Sequence, residues 1–325
     1  MNKRYLSPMI KSFSEESNEE NDEQIIYHYT STEGFLNIIK ERQVRFTDIL
    51  FLNDNMEKTY FLKVLLEFCQ EYKESYPKFA DAVERLLTKN EEGHIIVRDV
   101  PGLPYNPSRS FVFCASNEAD SLHMWNYYVN NGKYQGYSIG IKPSLFLKTF
   151  ETDSPEHING FIVYYGNVIY EKRDQFAEIT HLAKKIEQYI FPSDENSIKR
   201  QMIEIRLYSE LQGVFFKDPA FKPEKEFRVL FSITNERIPR AEGAGEKYFG
   251  ENNKKICEGF TTKQGLIVPY MSIQLPKDSV SRVYASPMIE YDLAKKSVKE
   301  LLNAKGFLHG GNEVSIHRSK VPIRF

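Results

Sequence analysis

Cysteine is scarce in this chain of 325 residues: three occur, Cys69, Cys114 and Cys257, far apart and odd in number. This usage argues against a disulfide framework and favours free thiols in a reducing compartment. A long apolar run that could span a bilayer is also missing, and no apolar signal segment follows the first residues. We therefore expect a cytoplasmic protein without membrane contact.

Positive and negative charges are nearly balanced: the chain has 43 Lys and Arg and 45 Asp and Glu, which gives a formal net charge of −2. The net charge therefore does not attract nucleic acid, and such a partner would need a local basic patch. The histidines and cysteines show no metal-ligand spacing, and no metal is expected. The C-terminal end is a candidate patch, with a solvated terminus as the alternative. It contains His317, Arg318, Lys320 and Arg324.

Aromatic residues are abundant, at 14% of the chain with 23 Phe and 20 Tyr, and indicate a globular protein with a large aromatic core. A polar, acidic run predicts a disordered leader over residues 1–24. Strands and helices then mix without regular βαβ alternation or repeats, which favours an α+β fold. We expect a single domain over residues 25–325, with helical insertions near 55–90 and 174–216.

The first informative segment joins a predicted strand to a predicted helix. Its β-branched and aromatic residues indicate a buried strand with His28 at its end. Thr30 stands three residues before Glu33, the spacing of a capping box that starts a helix. A histidine beside a helix N-terminus is placed to meet an anionic ligand. The alternative is a core histidine whose hydrogen bonds are satisfied.

A second segment carries paired carboxylates at the entrance of a late strand predicted over residues 226–233. Glu224 and Glu226 are two residues apart, which predicts that they share one face of the strand, and Arg228 could hold one in place. Such a pair can bind a sugar hydroxyl and offset positive charge developing on a ribose. The alternative is a solvent-facing charged edge strand.

A third segment, a helix predicted over residues 116–129, holds the only tryptophan. Trp125 lies beside Tyr127 and Tyr128, and such rings are either core or a platform on which a nicotinamide or a base stacks.

The Gly-x-Ser-x-Gly pattern around Ser138 matches the nucleophile elbow of serine hydrolases. It lies inside a predicted strand over 136–141 rather than on a strand-to-helix turn, as the elbow requires. This position disfavours a serine hydrolase, which stays an alternative that fluorophosphonate labelling at Ser138 would reveal.

Four motifs follow one another along the chain: His-Tyr-Thr, Leu-Asn-Asp, Met-Trp-x-x-Tyr before a Gly-x-x-Ile-Gly strand, and Glu-x-Glu-x-Arg. In this order they resemble a bacterial family, formerly of unknown function and often found near phage-defence genes, over most of residues 25–320. That family is similar to a divergent branch of the ADP-ribosyltransferases, the histidine–tyrosine–glutamate class. The resemblance implies an ADP-ribosyltransferase-like split β-sheet core with helical insertions.

The resemblance also implies residue roles. Glu226 matches the catalytic glutamate that binds the nicotinamide ribose, Glu224 the upstream glutamate of the pair, and His28 the first-strand histidine. We take Glu224 as the candidate base for the acceptor. Which aromatic ring packs on nicotinamide stays open between Trp125, Tyr127 and Tyr128. The expected cofactor contacts are His28, Tyr29, Thr30, Asn53, Trp125, Tyr128 and Arg228.

The implied activity is transfer of ADP-ribose from NAD, the co-substrate, to a macromolecular acceptor, either nucleic acid or protein. The implied setting is a toxin or abortive-infection effector held inactive by an antitoxin partner. Two alternatives stay open: an NAD glycohydrolase with water as acceptor, and a non-catalytic member that binds a nucleotide or a partner.

Overall fold

The protein is a mixed α/β structure with a large mixed sheet and several helices. The predicted mixture of strands and helices is confirmed at this level. The computed structural model describes residues 10–12, 24–52, 57–98, 108–129, 134–150, 161–188, 195–234, 238–240, 256–263 and 265–323. No helix in these ranges combines the length and the apolar character that crossing a bilayer requires.

The strands are β1 (Ile10–Ser12), β2 (Ile26–Ser31), β3 (Gln43–Asp48), β4 (Leu87–Lys89), β5 (Ile95–Val97), β6 (Ser108–Ser116), β7 (Gly136–Ile141), β8 (Phe161–Asn167), β9 (Glu226–Thr234), β10 (Cys257–Lys263), β11 (Leu266–Gln274), β12 (Val280–Ala285) and β13 (Ser315–Arg318). The helices are α1 (Thr32–Glu41), α2 (Glu57–Tyr72), α3 (Pro77–Leu86), α4 (Leu122–Tyr128), α5 (Pro143–Leu147), α6 (Lys172–Glu187), α7 (Glu195–Leu211) and α8 (Tyr291–Ala304).

The chain divides into two compact units. The helical unit comprises Met1–Ser12, Leu50–Ser108 and Tyr164–Lys222, and the sheet unit comprises Phe13–Ile49, Arg109–Val163 and Pro223–Phe325. This division does not test whether residues 25–325 fold as a single domain, which stays a prediction. Three residues of the predicted leader, Ile10–Ser12, form β1. For residues 1–9 and 13–23, which lie outside the described ranges, disorder also stays a prediction.

The helical unit contains α2, α3, α6 and α7, in the regions predicted as helical insertions. Its centre is aromatic, because the fully buried Phe68 ring lies among four other rings. These rings belong to Tyr72, Tyr76, Phe79 and Phe176. Edge-to-face and offset contacts of this kind stabilise a helix cluster beyond the apolar area that they bury.

In the sheet unit, six strands lie side by side in the order β9-β6-β2-β7-β12-β13. β12 and β13 are parallel, whereas β2 and β12 both pair antiparallel with β7. β6 pairs with β3 at Phe111 and Val112, near its start, and with β2 at Ser116, its last residue. β3 in turn pairs with β11, and β11 with β10. The sheet therefore divides into two branches at β6.

Two expectations about the first strand are wrong in detail. His28 lies inside β2 rather than at its end, since β2 continues to Ser31. The cap of α1 is Ser31 instead of Thr30, and its hydroxyl accepts a hydrogen bond from the backbone N–H of Gly34 at 3.1 Å. Thr30 instead pairs within the sheet, opposite Tyr137, so strand pairing displaces the capping position by one residue.

The helix predicted over residues 116–129 is shorter than expected. β6 extends through Ser116, and α4 begins only at Leu122, with Ser121 as its cap. The predicted strand over 136–141 is confirmed as β7. Ser138 is fully buried within this strand, so no nucleophile elbow forms at this position.

Candidate active site

The two glutamates are joined by a left-handed residue. Glu224 ends a short 3-10 helix, β9 begins at Glu226, and Lys225 between them has a φ of 43°. A backbone in this region is costly for a residue with a side chain. The sequence pattern predicts both carboxylates on one face because side chains alternate along a strand. That reason is wrong, since Glu224 precedes the strand and the alternation does not apply to it.

The end of β6 holds this turn in place. The Ser116 hydroxyl donates to the Glu224 carbonyl at 2.7 Å. The backbone N–H and the side-chain amide of Asn117 both donate to the Lys225 carbonyl, at 2.8 and 3.0 Å. The Lys225 ammonium also pairs with the Glu118 carboxylate. We call Ser116–Glu118 the β6 clamp, since three successive residues fix the turn between the glutamates.

Both carboxylates are buried, with Glu224 4% and Glu226 6% exposed. Glu226 Oε2 accepts from Arg228 Nη2 at 2.8 Å, so the expectation that Arg228 holds one glutamate is confirmed. Glu224 Oε1 accepts from the Tyr128 hydroxyl at 2.8 Å. Every residue of β9 except the last is buried, which excludes the alternative of a solvent-facing edge strand.

Tyr128 links α4 to the carboxylate pair. Burial raises the pKa of Tyr128 most, and the negative charges of Glu224 and Glu226 raise it further. The Cys114 thiol adds a smaller contribution in the same direction. The phenol therefore stays protonated at neutral pH and acts as a donor to Glu224.

His28 lies across β6 from the glutamates. Its Nδ1 is 3.0 Å from the carbonyl oxygen of Cys114, and its ring faces Phe113 at a centroid distance of 4.9 Å. Burial lowers the pKa of His28, while the bond to the Cys114 carbonyl opposes this effect. The imidazole is therefore neutral at pH 7. Because a carbonyl only accepts, Nδ1 carries the proton and Nε2 presents a lone pair.

The last residues of β6, together with Asn117 directly after it, contact both His28 and the turn that carries the glutamates. β6 lies between β2, which carries His28, and β9, which carries Glu226. Two strand spacings separate the backbones of β2 and β9, roughly 10 Å. Within the described residues His28 makes no hydrogen bond to either glutamate. The arrangement is thus a neutral imidazole and a carboxylate pair on opposite sides of one strand.

Other residues expected at the site brace α4. The Tyr29 hydroxyl donates to the Glu118 carbonyl at 2.7 Å and accepts from the Ser121 N–H at 3.0 Å. Trp125 is fully buried, packs edge-on against Tyr29 at 4.7 Å, and donates from Nε1 to Asp120 at 2.7 Å. A buried indole offers no face to a ligand without movement. Asn53, also expected at the site, lies outside the described residues.

Sequence reasoning missed the β6 clamp and Cys114. The available signal was Ser116-Asn117, two residues typical of turns, directly after a strand. Reading them as the start of a helix concealed their role. Within the described ranges no group of three or more His, Cys, Asp or Glu side chains is arranged to hold a metal ion.

A family model described as a protein of unknown function, DUF2971, matches residues 124–229. The matched part covers less than half of the chain and includes Tyr128, both glutamates and Arg228, but leaves His28 outside. It is compatible with the expected resemblance to a family of formerly unknown function. The ADP-ribosyltransferase likeness stays a prediction. Comparisons with curated proteins and with solved structures found no match.

Proposed function

We propose that the sheet unit transfers ADP-ribose from NAD to a macromolecular acceptor, nucleic acid or protein. The observation that carries this proposal is the convergence on one end of β6. His28 contacts the Cys114 carbonyl on one side, and the Glu224–Glu226 turn is held by Ser116 on the other. This end of β6 thus brings a neutral imidazole, a half-buried phenol and two buried carboxylates to one part of the sheet unit, and a buried carboxylate is the group that can stabilise cleavage of a nicotinamide–ribose bond.

Glu226 has the central role in this proposal. Breaking the bond between nicotinamide and ribose leaves an oxocarbenium-like centre, and nicotinamide departs neutral without a general acid. A carboxylate that is buried and already oriented stabilises this positive charge without reorganisation. The ion pair with Arg228 supplies the orientation of Glu226. Arg228 itself is a positioning residue.

Glu224 and His28 take complementary roles. Glu224 is the base for the acceptor nucleophile, and the Tyr128 hydroxyl orients it by donating to Oε1. His28 Nε2 accepts a hydrogen bond from a ribose hydroxyl of NAD, because Nδ1 is committed to the Cys114 carbonyl. Of the aromatic candidates we assign the nicotinamide contact to Tyr128, since Trp125 has no exposed surface.

An ADP-ribosyltransferase-like split sheet is part of the proposal. It is supported by the division of the sheet at β6, where β2 and β3 pair at different ends of one strand. The cellular setting rests on the resemblance alone: a cytoplasmic toxin or abortive-infection effector, neutralised by an antitoxin partner.

The test is incubation of the purified chain with tagged NAD and cell lysate. If nuclease or protease treatment releases the tag from a macromolecule, the result supports transfer, and the enzyme that releases it identifies the class of acceptor. Free nicotinamide without macromolecular label would instead indicate an NAD glycohydrolase. Neither product, from protein that binds NAD in calorimetry, would indicate a non-catalytic member.

A further inference from the structure

A second surface of the sheet unit combines cations with aromatic rings. Tyr27 of β2 and Arg282 of β12 both lie opposite Gly140 of β7, and Tyr284 lies opposite His317 of β13. A Cβ at Gly140 would lie 2.9 Å from the Cβ of Arg282, so glycine leaves the room that this row needs. With Lys320, these side chains form what we call the Arg282 surface.

The rings and the guanidinium are in contact. Arg282 Nη1 donates to the Tyr27 hydroxyl at 3.3 Å. The Tyr284 and His317 rings stack with centroids 4.7 Å apart and planes inclined by 23°. Tyr27 meets the Tyr284 ring edge-on at 6.0 Å. Arg282 and Lys320 are exposed, and Tyr284 and His317 are half-buried.

The cations of this surface, Arg282 and Lys320, and the His317 ring form no ion pairs with the residues that the structure describes. Burial lowers the pKa of His317, and the charges of Arg282 and Lys320 lower it further, so the three groups share one field. The nearby Asp120 accepts from the backbone N–H of Lys320 at 2.6 Å and not from its ammonium.

We propose that the Arg282 surface binds single-stranded nucleic acid, the acceptor class of the proposed transferase. Exposed cations without carboxylate partners complement phosphates, and an aromatic pair supplies a platform on which an unpaired base stacks. The cations alone would suit an acidic peptide, but the stacked rings favour bases. The acceptor role rests on the proposed function, whereas binding does not require it.

Binding is measured by anisotropy with the full chain, without NAD, using fluorescein-labelled oligouridine and oligothymidine of about 12 nucleotides. The Arg282→Gln/Lys320→Gln double variant is expected to bind at least about tenfold more weakly than wild type. The slope of the logarithm of its binding constant against the logarithm of salt concentration should fall in magnitude by about 1.4, because two phosphate contacts are lost. The matched control is Lys296→Gln/Lys299→Gln, which removes two exposed cations of α8 and leaves binding unchanged. The two oligonucleotides distinguish RNA from DNA as the source of the strand.

Tyr284 tests the stacking part. Tyr284→Ala is expected to weaken binding by about tenfold, while Tyr284→Phe, which keeps the ring, binds like wild type. Melting curves for both variants separate lost stacking from lost folding. If the Arg282/Lys320 double variant binds as tightly as wild type, or if polyglutamate competes as well as either oligonucleotide, the proposal is overturned.

Failure of the transferase and failure of this surface give different results. Wild-type protein that binds oligonucleotides but never consumes NAD would overturn the proposed function alone. Protein that labels only protease-sensitive acceptors and does not bind oligonucleotides at low salt would overturn the surface alone.

Discussion

Glu224, Glu226 and Arg228 are buried in the sheet unit, and the half-buried Tyr128 contacts Glu224. A buried polar group costs free energy unless a partner meets it, and each of these side chains has one within hydrogen-bond distance. The sequence allowed the pairing of Arg228 with Glu226 to be predicted, since these two residues are two apart on one predicted strand. It could not reveal that Tyr128 would meet Glu224, 96 residues away.

Removing the Tyr128 hydroxyl tests that contact. Tyr128→Phe keeps the ring but takes a donor from a buried carboxylate, so we expect a loss of about 1–3 kcal/mol in the free energy of unfolding. Tyr127→Phe is the matched control, because Tyr127 is on the same helix but 68% exposed. Urea unfolding should show a change within about 0.5 kcal/mol for the control. Equal losses for both variants would contradict the pairing.

His28 predicts a pH dependence of stability. Its pKa is lowered in the folded protein, so as pH falls below the ordinary value of 6.5 the unfolded chain binds the proton first. The free energy of unfolding therefore decreases as pH falls through this window, and this contribution levels off below the folded pKa. His28→Gln should show a smaller decrease between about pH 7 and pH 5 than wild type.

The control for this comparison is His309→Gln, since His309 is exposed and bonds only to Asn303 among the described residues. It should retain the wild-type slope. Parallel curves for wild type and His28→Gln would show that His28 is not desolvated in the folded state.

At the scale of elements, local sequence patterns predicted most strands and helices, but some of the predicted boundaries differ from the structure, most clearly the one between β6 and α4. β7 and β9 were predicted within a residue of their ends because an alternating or apolar run is a local signal. The boundary between β6 and α4 was missed because it depends on the β6 clamp, which bonds to a turn 108 residues away. Tertiary hydrogen bonds of this kind leave only a weak trace in sequence.

The turn between the glutamates predicts an unusual order of stability. Lys225 has a positive φ, which only glycine adopts without strain. Lys225→Gly should therefore be more stable than Lys225→Ala by about 1 kcal/mol, although glycine normally costs unfolded-state entropy. Both variants lose the exposed pair with Glu118 equally, so urea unfolding isolates the backbone effect. An alanine variant as stable as the glycine variant would show that residue 225 is not left-handed in solution.

At the scale of the whole molecule, the predicted insertions fall in the helical unit and the predicted site residues that the structure describes fall in the sheet unit. Helix periodicity made the insertions visible in sequence. The neighbours of each strand were not visible, because pairing between distant segments follows no local pattern. The order β9-β6-β2, which brings Glu226 and His28 to one strand, was therefore beyond sequence reasoning.

The predicted single domain can be tested by its cooperativity. Fluorescence of the only tryptophan, Trp125, reports on the sheet unit, in which it is buried. Far-UV circular dichroism reports mainly on helices, and α2, α3, α6 and α7 belong to the helical unit. We expect the fluorescence and the circular dichroism to change together in urea, as one domain requires. Transitions with separate midpoints would show that the units unfold independently.

The most direct test of the proposed chemistry is nicotinamide release from NAD by wild type, Glu226→Gln and Glu258→Gln. Glu258 is the matched control, because it also forms an ion pair with an arginine, Arg109, and the side chains of Glu226 and Glu258 are each 7% exposed. Each substitution removes the charge of a buried carboxylate that pairs with an arginine, so melting curves report the folding loss of each variant and NAD titrations report its affinity. We predict that Glu226→Gln releases nicotinamide about a hundredfold or more slowly than wild type, while Glu258→Gln stays close to wild type. Near wild-type release by folded Glu226→Gln, or an equal loss in both variants, would contradict the assignment of Glu226 as the catalytic carboxylate.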